Sequence, residues 1–509
     1  MNTLLHTLQD LSPAMLRAVA ENNHVSLASN VPRAMADELA AVLVDPAHLA
    51  SVVASLSSEA CDALAHLVQE DGRMTTAAFE RRYGEIRSFG PGRLERERPQ
   101  RNPATTSETL WYLGLIYRTF AETPEGLTEF LGIPTEVIPL LPQLQSPVGS
   151  FRLSAVSGPA SMAALPLPDT LLHDVCSLLC LVQAGEVRTA GQGEATNWRI
   201  TSLYALGELM LQPVEAAHFL DPRSPGNVSA LAFALVADMG WLRVAGGVVR
   251  LHAEPVHQWL LLSRPEQRRR LMEAWRASTS WNDLCRTPVL SCEETGSWGN
   301  DPAATRTRLL PLLASLDNMT WYTTADFVAA AKEHAPDFQR PDGDYNTWYL
   351  RRRDDSIFLR GFERWDEVEG ELLRWLLVGP LSWLGVVQTG LDERGAALFR
   401  LTEDGARWLA EEAEPASDTA GQLVVLPDFT LEIPADAPLI DRFRVARFTT
   451  WEPVVRQPAL LFRYRITQTG LRRAARQGIT AERVLIYLQE QCGEALPGNV
   501  AAALAGWKM

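Results

Sequence analysis

The chain has 509 residues, of which 46% are apolar and 21% are charged, and its formal net charge is −15. This composition is ordinary for a soluble globular protein, and the length allows three or four domains. The negative balance argues against a protein that binds nucleic acid over its whole surface, since neutralising phosphates requires basic side chains. Contact with DNA would then need a local basic surface, and the alternative is an acidic surface that faces a basic protein partner.

Lysine occurs only twice, as Lys332 and Lys508, and neither residue follows a glycine. A phosphate-binding P-loop needs Gly-Lys-Ser/Thr, because backbone N–H groups hold the phosphates while the lysine reaches the terminal ones. The sequence therefore excludes the usual nucleoside-triphosphate site, and it contains no H-E-x-x-H or G-x-S-x-G motif. We expect no catalytic residues, no cofactor and no metal. The alternative is a hydrolase or nuclease with an unrecognised site.

The N-terminus and the cysteines indicate the compartment. The first residues lack the basic flank of a secretory signal and are interrupted by Asp10 and Pro13, and no apolar run is long enough to span a bilayer. Six cysteines at irregular spacing do not make a disulfide framework. Cys176 and Cys180, one helical turn apart in an apolar segment, are best interpreted as small core residues. We therefore expect a cytoplasmic protein without membrane contact.

A helix, a glycine and a short apolar strand recur three times along the chain, and each copy predicts a winged helix. The first copy belongs to an N-terminal helical and winged-helix module, residues 1–145, with its glycine at Gly114. A helix is predicted over residues 57–72. Thr105 and Glu108 have the spacing of a capping box for a later helix of this module.

The second and third copies lie in residues 166–290 and 303–412. In the second copy, the last helix is predicted over residues 225–238, and a hairpin follows with Gly246-Gly247 at its tip. A pair of further helices extends this module. The third copy has three predicted helices followed by a hairpin, and the apolar residues that mark these helices are Leu309, Phe327 and Trp375.

The best candidate for nucleic-acid contact is an arginine-rich loop between the second and third helices of the first module. Its arginines can pair with phosphates and its aromatic residues can stack on a base. Its tip, Phe89-Gly90-Pro91-Gly92, can approach a partner closely. The alternative is a loop with internal salt bridges, because glutamates interleave with the arginines. The candidate residues are Arg81, Arg82, Arg87, Phe89, Arg93, Arg96, Arg98 and Arg101.

The last module, residues 422–509, has its own pattern of turns and caps. An apolar run with a Pro427-Asp428 turn predicts a hairpin. Two short helices follow, opened by the capping residues Thr467 and Thr480 and closed by glycines at Gly478 and Gly493. A third helix is predicted from apolar residues at helical spacing, which are Val500, Leu504 and Trp507.

This last module resembles the N-terminal domain of XPB-type DNA helicases. The residues that carry the resemblance are Val425-Leu426-Pro427-Asp428, Tyr464-Arg465-Ile466-Thr467, Leu471, Ala474, Gly478 and Leu496-Pro497. In that family the domain precedes the ATPase motor, and in eukaryotic relatives it pairs with a similar domain of another subunit. The resemblance therefore implies a helicase-associated protein that binds an XPB-like helicase. The candidate partner-binding residues are Tyr464, Arg465, Leu471, Arg472, Arg473, Leu496 and Pro497.

The expected fold is mainly α with small β hairpins (α+β), with tandem winged-helix modules before a C-terminal domain of a hairpin and three helices. The expected function is that of a non-catalytic helicase-accessory protein in DNA repair or processing, with single-stranded or forked DNA as a further partner of the winged helices. The alternative is a winged-helix DNA-binding transcriptional regulator. It is weakened because the predicted helix at residues 107–114 has no lysine or arginine and that at residues 368–377 has only Arg374. The oligomeric state stays open.

Overall fold

The structure, a computed structural model of the chain, divides into two compact units. Unit 1 contains Met1–Arg152 and Glu333–Thr347, and unit 2 contains Leu153–Lys332 and Trp348–Met509. Both units combine helices with small antiparallel sheets, which confirms the expected α+β class. No single helix in the described part of the chain is long and apolar enough to cross a membrane. The described residues are 2–123, 126–141, 151–162, 169–185, 187–190, 194–212, 215, 219, 221, 224–293, 298–413, 421–456, 459–492 and 495–507.

Unit 1 begins with helices whose first turns follow capping rules. Ser12 and Asp45 each accept a hydrogen bond from a backbone N–H of the following turn. Proline stands at the start of several of these helices, where its missing N–H would be unpaired in any case. Their apolar faces join one core in which Leu16, Leu39 and Leu64 are fully buried. The helices are α1 (Leu4–Gln9), α2 (Pro13–Asn22), α3 (Pro32–Leu43) and α4 (Pro46–Ser55).

The rest of unit 1 contains the first of the three predicted copies. The helix predicted over residues 57–72 is present and ends at Gln69, and Asp71 and Gly72 after it have positive φ angles of 54° and 82°. The three strands form an antiparallel sheet in the order β1-β3-β2. In chain order the elements are α5 (Ser58–Gln69), β1 (Arg73–Thr75), α6 (Thr76–Tyr83), α7 (Pro91–Glu97), a 3-10 turn (Pro99–Arg101), α8 (Thr106–Tyr112), β2 (Tyr117–Thr123), β3 (Gly126–Gly132) and a 3-10 turn (Ile138–Leu140).

The first part of unit 2 contains the second copy and its helical extension. Gly246 and Gly247 have φ angles of 61° and 72°, as a tight hairpin turn between twisted strands requires. Ser263 and Glu266 form a full capping box at the start of a later helix. In chain order the elements are β4 (Ser161–Met162), α9 (Thr170–Gln183), α10 (Ile200–Leu209), α11 (Val228–Asp238), β5 (Leu242–Ala245), β6 (Val248–Leu251), α12 (Ala253–Leu260), α13 (Arg264–Ala277) and β7 (Leu290–Cys292).

The third copy follows in unit 2. Thr323 accepts a hydrogen bond from the N–H of Asp326 and so caps the second helix of this copy. The main sheet has the order β4-β10-β11-β8, and β7 pairs separately with β9. In chain order the elements are α14 (Pro302–Ala314), β8 (Tyr322–Thr323), α15 (Thr324–His334), β9 (Leu350–Arg352), a 3-10 turn (Phe362–Arg364), α16 (Trp365–Val378), α17 (Pro380–Trp383), β10 (Val387–Leu391), β11 (Ala397–Leu401) and α18 (Glu403–Leu409).

Among the described residues, the three copies share an order of elements: a helix, a short strand or bridge, at least two helices and a hairpin. The first copy has the additional helix α7, and the third has β9 and α17 between its short strand and its hairpin. In each, the short strand pairs with the second strand of the hairpin, through β1 with β3, Arg188 with Val248, and β8 with β11. The predicted glycine before each hairpin is also confirmed. Gly114, Gly240 and Gly385 have φ angles of 72°, 66° and 77°, a conformation that glycine adopts without steric cost.

The C-terminal module, residues 422–509, is larger than the predicted hairpin with three helices. The Pro427-Asp428 hairpin is present, but it belongs to a four-stranded antiparallel sheet with the order β12-β13-β15-β14. The sequence prediction was wrong here because it missed two strands and a buried helix, α19, between the hairpin and the capped helices. The elements are β12 (Val424–Val425), β13 (Thr430–Pro434), α19 (Leu439–Val445), β14 (Thr449–Trp451), β15 (Leu461–Ile466), α20 (Gln468–Arg476), α21 (Ala481–Cys492) and α22 (Gly498–Ala505).

Unit 2 contains the predicted modules at residues 166–290 and 422–509, and it contains the module at residues 303–412 except for Glu333–Thr347. The division into four modules stays a prediction. The predicted helix end at Gly493 lies outside the described residues, and so do residues 414–420 of the acidic segment 410–422, which the sequence predicts to be a linker.

The cysteines fall into a bonded pair and free thiols. Cys285 and Cys292 form a disulfide with their Cα atoms 5.3 Å apart, which the irregular spacing does not predict. Cys176 and Cys180 are buried, as expected of core residues.

Candidate nucleic-acid and partner interfaces

Residues 81–101, which we call the N-terminal arginine segment, connect α6 to α8 in unit 1. The sequence predicts a loop here, but Pro91 begins helix α7. Proline fits this first helical position because its missing N–H would be unpaired there. A Cβ atom at Gly90 or Gly92 would meet no atom within 4 Å, so the predicted tip still faces open space.

Four of the seven arginines in this segment form ion pairs with carboxylates. Arg87 donates from Nε and Nη2 to the two carboxylate oxygens of Glu108, at 2.6 and 2.7 Å. Such a two-point pair fixes the guanidinium in one orientation. The other pairs are Arg81 with Asp337, Arg93 with Glu97 at 2.6 Å, and Arg101 with Glu21 at 2.6 Å. For these four residues, the alternative of an internally salt-bridged segment describes the structure better than free phosphate-binding groups.

The carboxylate of Glu108 is the buried centre of this network. It also accepts hydrogen bonds from the backbone N–H groups of Arg87 and Ala104. Burial alone would raise the pKa of Glu108, but the bonds from Arg87 and Ala104 outweigh burial and hold it below its ordinary value. The predicted capping box is therefore only half formed. Thr105 accepts from the N–H of Glu108, whereas Glu108 bonds to Ala104 instead of Thr105.

The remaining three arginines of the segment have no carboxylate partner among the described residues. Arg82 donates to the carbonyl oxygen of Glu333 at 3.2 Å, and Arg96 donates to that of Gly92 at 3.3 Å. Arg98 is exposed and has a left-handed backbone with φ 46°. An anion could reach these side chains. Carboxylates that are already paired, such as Glu97, lie between them in the sequence and reduce the local positive charge.

The aromatic residues of the segment are less available for stacking than the sequence suggests. Phe89 has the guanidinium groups of Arg87 and Arg93 at 5.3 and 4.9 Å from its ring centre. Tyr83 is buried, and its hydroxyl lies 3.2 Å from Nδ1 of His66. A base that stacked on Phe89 would have to displace at least one cation–π contact.

A cleft of about 190 Å³ lies under the segment and is lined by polar and aromatic side chains. Arg87 and Arg118 both reach it, but each already has a carboxylate partner. Arg118 donates to Glu80 at 2.7 Å, in addition to the Arg87 pair with Glu108. Because both arginines are neutralised by these carboxylates, neither is free to bind a phosphate in the cleft.

Sequence reasoning missed the segment Glu333–Thr347, which leaves the third copy and joins unit 1. It provides the carboxylate of Asp337 for Arg81 and the carbonyl of Glu333 for Arg82. The ring of Tyr345 also lies under Arg81, at 5.2 Å from the guanidinium carbon. No local signal around residue 81 could have revealed a partner about 250 residues away.

Some of the predicted partner-binding residues of the C-terminal module are buried or bonded within the module, and the others reach the surface. Tyr464 and Leu471 are buried, and Arg473 donates to the carbonyl oxygens of Ala446 and Thr449. These three side chains hold the module together and offer little surface to a partner. The others reach the surface: Arg465 pairs with Glu452 at 3.0 Å, Arg472 is exposed, and Leu496 and Pro497 are partly exposed.

A buried arginine joins the C-terminal module to helix α9 within unit 2. Arg442 is fully buried and donates to the hydroxyls of Tyr464 and Ser177, at 3.2 and 3.0 Å. Its guanidinium carbon lies 3.4 Å from the ring centre of Phe462, and Nη1 lies 3.2 Å from Nδ1 of His173. Burial and Arg442 together lower the pKa of His173, so this imidazole is neutral. The C-terminal module therefore shares a buried core with the second copy.

Comparison with known proteins does not identify a family for this chain. Neither a protein-family model nor a curated protein matches this chain. The likeness of residues 422–509 to a helicase domain therefore depends on the residues that carry it, and the function must be argued from geometry.

Proposed function

We propose that this protein is a non-catalytic helicase-accessory protein, built from three winged-helix modules and a C-terminal module of the XPB N-terminal type, that acts in DNA repair or processing. The observation that carries the proposal is the threefold recurrence of one order of elements. In each copy, the short strand pairs with the second strand of the hairpin, which is typical of a winged helix. Such modules bind nucleic acids or proteins, and their repetition suits a scaffold.

The C-terminal module supports the link to a helicase through the residues that carry the resemblance. Asp428 accepts from the N–H of Thr430 and shapes the hairpin turn. Thr467 caps α20 by accepting from the N–H of Gly470, and Leu471 lies buried on the inner face of the same helix. Gly478 ends this segment with φ 79°. The matched residues thus have structural roles that any domain of this type would need.

We assign the helicase contact to the edge of the sheet formed by β12. This edge strand can pair with another chain, and Val424 on it is 48% exposed. The partly exposed Leu496 and Pro497 come just before helix α22, which is joined to the turn after β12 because the Asn499 side chain donates to the carbonyl oxygen of Pro427 at 2.7 Å. An edge strand bordered by apolar side chains is the kind of patch that forms the core of a protein interface.

The alternative function, a DNA-binding transcriptional regulator, is disfavoured by the helices that precede the three hairpins. A reading helix in the major groove needs basic or amide side chains on its outer face. Helices α8 and α11 contain no lysine or arginine. Helix α16 contains Arg374, which is bonded to Glu371 at 2.8 Å.

The proposal is tested by capture of a purified XPB-type helicase on the full-length protein in the presence of nuclease. The variant Val424→Glu with Leu496→Glu should weaken capture at least about tenfold, since charges at the centre of an apolar interface cost several kcal/mol. The matched control is Ile357→Glu, which changes another exposed apolar residue in unit 2. Capture that is absent for the unmodified protein, or equal for the double variant, would contradict the proposal.

A further inference from the structure

Five arginines of the C-terminal module lie on its helices or just after one of them, without an ion-paired carboxylate among the described residues. All except the half-buried Arg447 are exposed. Arg447 donates from Nε to the side-chain oxygen of Gln477 at 3.2 Å, and Arg444 lies 5.9 Å from the ring centre of Tyr487. Arg444 is also close enough to the buried Asp441 for its charge to act on that carboxyl, without forming an ion pair. We call these residues the C-terminal arginine surface: Arg444, Arg447, Arg472, Arg476 and Arg483.

The contacts of the module connect these arginines into one path. Arg472 and Arg476 are four residues apart on α20 and so share a face of that helix. The side chain of the next residue, Gln477, accepts the hydrogen bond from Arg447. The N–H of Arg447 in turn bonds to the carbonyl oxygen of Arg444, which places both at the C-terminal end of α19.

The path continues onto helix α21 through Tyr487. Arg444 stands over the ring of Tyr487, and Arg483 lies one helical turn before Tyr487 on the same face. The hydroxyl of Tyr487 bonds to Asp441, whose carboxyl is itself buried. The two arginines therefore border one aromatic ring at the end of the path.

Few carboxylates oppose this positive charge. Residues 421–507 contain ten arginines and eight acidic residues, in a chain whose net charge is −15. Burial raises the pKa of Asp441, although the hydrogen bond from Tyr487 and the charge of Arg444 oppose this effect. Burial lowers the pKa of Arg447 without any opposing carboxylate. Glu482 is exposed at the start of α21 and is the acidic residue next to the path in sequence. The paired arginines of the module, Arg463 and Arg465, lie instead on the sheet.

We propose that the C-terminal arginine surface binds the phosphate backbone of a nucleic acid. A row of cations along a path suits a polymer of phosphates better than a single phosphate group, and release of counterions from that polymer drives the binding. A protein partner would be expected to bury an apolar centre, whereas interfaces with nucleic acid are polar and positively charged. This inference goes beyond the proposed helicase contact, which uses the edge strand of the sheet.

The test is fluorescence anisotropy of the full-length protein with single-stranded and duplex DNA of about 20 nucleotides, at salt concentrations between about 50 and 300 mM. For five phosphate contacts, the affinity for the single strand should fall with salt with a logarithmic slope of about −3.5. The variant Arg472→Gln with Arg476→Gln should weaken binding about tenfold and reduce the slope by about 1.4. A stronger loss with one probe than the other distinguishes single strand from duplex as the natural form.

The matched control is Arg463→Gln with Arg465→Gln, which removes the same charge from the same module at positions already paired with Glu432 and Glu452. It should change affinity by less than about twofold. Thermal unfolding of each variant verifies that the module is intact. The proposal is overturned if the unmodified protein does not bind DNA at low salt, if both double variants lose affinity equally, or if a polyglutamate chain of equal charge competes as well as DNA.

Discussion

The N-terminal arginine segment and the C-terminal arginine surface are both rich in arginine, but their surroundings differ. In the segment, four of seven arginines pair with carboxylates, and two of the acids, Glu21 and Asp337, come from distant parts of the chain. On the surface, the five arginines have no ion pair within the described residues. Arg447 contacts Gln477, and Arg444 contacts the ring of Tyr487 and acts electrostatically on the buried Asp441. The comparison teaches that arginine content alone does not identify a phosphate-binding site. The position of the carboxylates decides whether the charge is available.

The largest effect on stability is expected at Arg442, the buried arginine that joins the C-terminal module to helix α9. The substitution Arg442→Ala removes hydrogen bonds to Tyr464 and Ser177 and leaves a cavity beside Phe462. We expect the free energy of unfolding of unit 2 to fall by about 3 kcal/mol, even though removal of a buried charge offsets part of the loss.

Thermal and urea unfolding measure this effect, and Arg444→Ala is the control, with an expected change below about 0.5 kcal/mol. Hydrogen exchange should also increase in α9, because Arg442 joins that helix to the module. If the two variants lose the same free energy of unfolding, the buried contacts of Arg442 do not stabilise the C-terminal module as we expect.

The next effect is expected at Glu108, which neutralises the N-terminal segment. Glu108→Gln removes the charge that orients Arg87 and weakens the bond to the N–H of Ala104. The free energy of unfolding of unit 1 should fall by about 1–3 kcal/mol, the usual cost of a poorly satisfied buried group. Denaturant titration measures it. A variant as stable as the unmodified protein would mean that the network does not order the segment.

Much of each copy could be predicted from local sequence, and the partners of the arginines could not. Glycines with positive φ, such as Gly114 and Gly385, and caps such as Thr467 depend on a few neighbouring residues. The contacts of Arg81 with Asp337 and of Arg442 with His173 join residues 256 and 269 positions apart. Periodicity and spacing carry no information on such pairings. For the same reason, residues 81–101 stood out in the sequence, although folding brings carboxylates to them.

The two units should also differ in the pH dependence that individual buried groups contribute. Burial lowers the pKa of His66 in unit 1 to about 4, so the folded state takes up a proton less readily than the unfolded chain. The stability that neutral His66 contributes is therefore lost as pH falls from about 6.5 to 4. Burial raises the pKa of Asp174 in unit 2 to about 6, so its contribution is present near pH 4 and lost as pH rises to 6.

Unfolding of His66→Gln and Asp174→Asn across this pH range measures both contributions. The difference between unmodified protein and variant should change in opposite directions, with a slope of at most about 1.4 kcal/mol per pH unit for each group. Parallel curves for the two variants would show that one of these groups does not titrate as its surroundings indicate.

The smallest effect is expected when one N-terminal arginine is released from its carboxylate. Glu97→Gln frees the exposed Arg93 without disturbing the core. DNA affinity at low salt should rise about two- to threefold, since one more cation becomes available beside Arg96 and Arg98. Fluorescence anisotropy against the unmodified protein measures this gain. An unchanged affinity would mean that factors other than pairing keep the segment from binding.

The most direct test of the central claim is photo-crosslinking of the full-length protein to a single strand that contains 5-iodouracil, followed by peptide mapping. The comparison between the two regions predicts that adducts concentrate in residues 439–492, around Tyr487 and the arginines of α20 and α21. Adducts that concentrate instead in residues 81–101, around Phe89, would contradict the claim that unpaired arginines of the C-terminal module form the nucleic-acid surface.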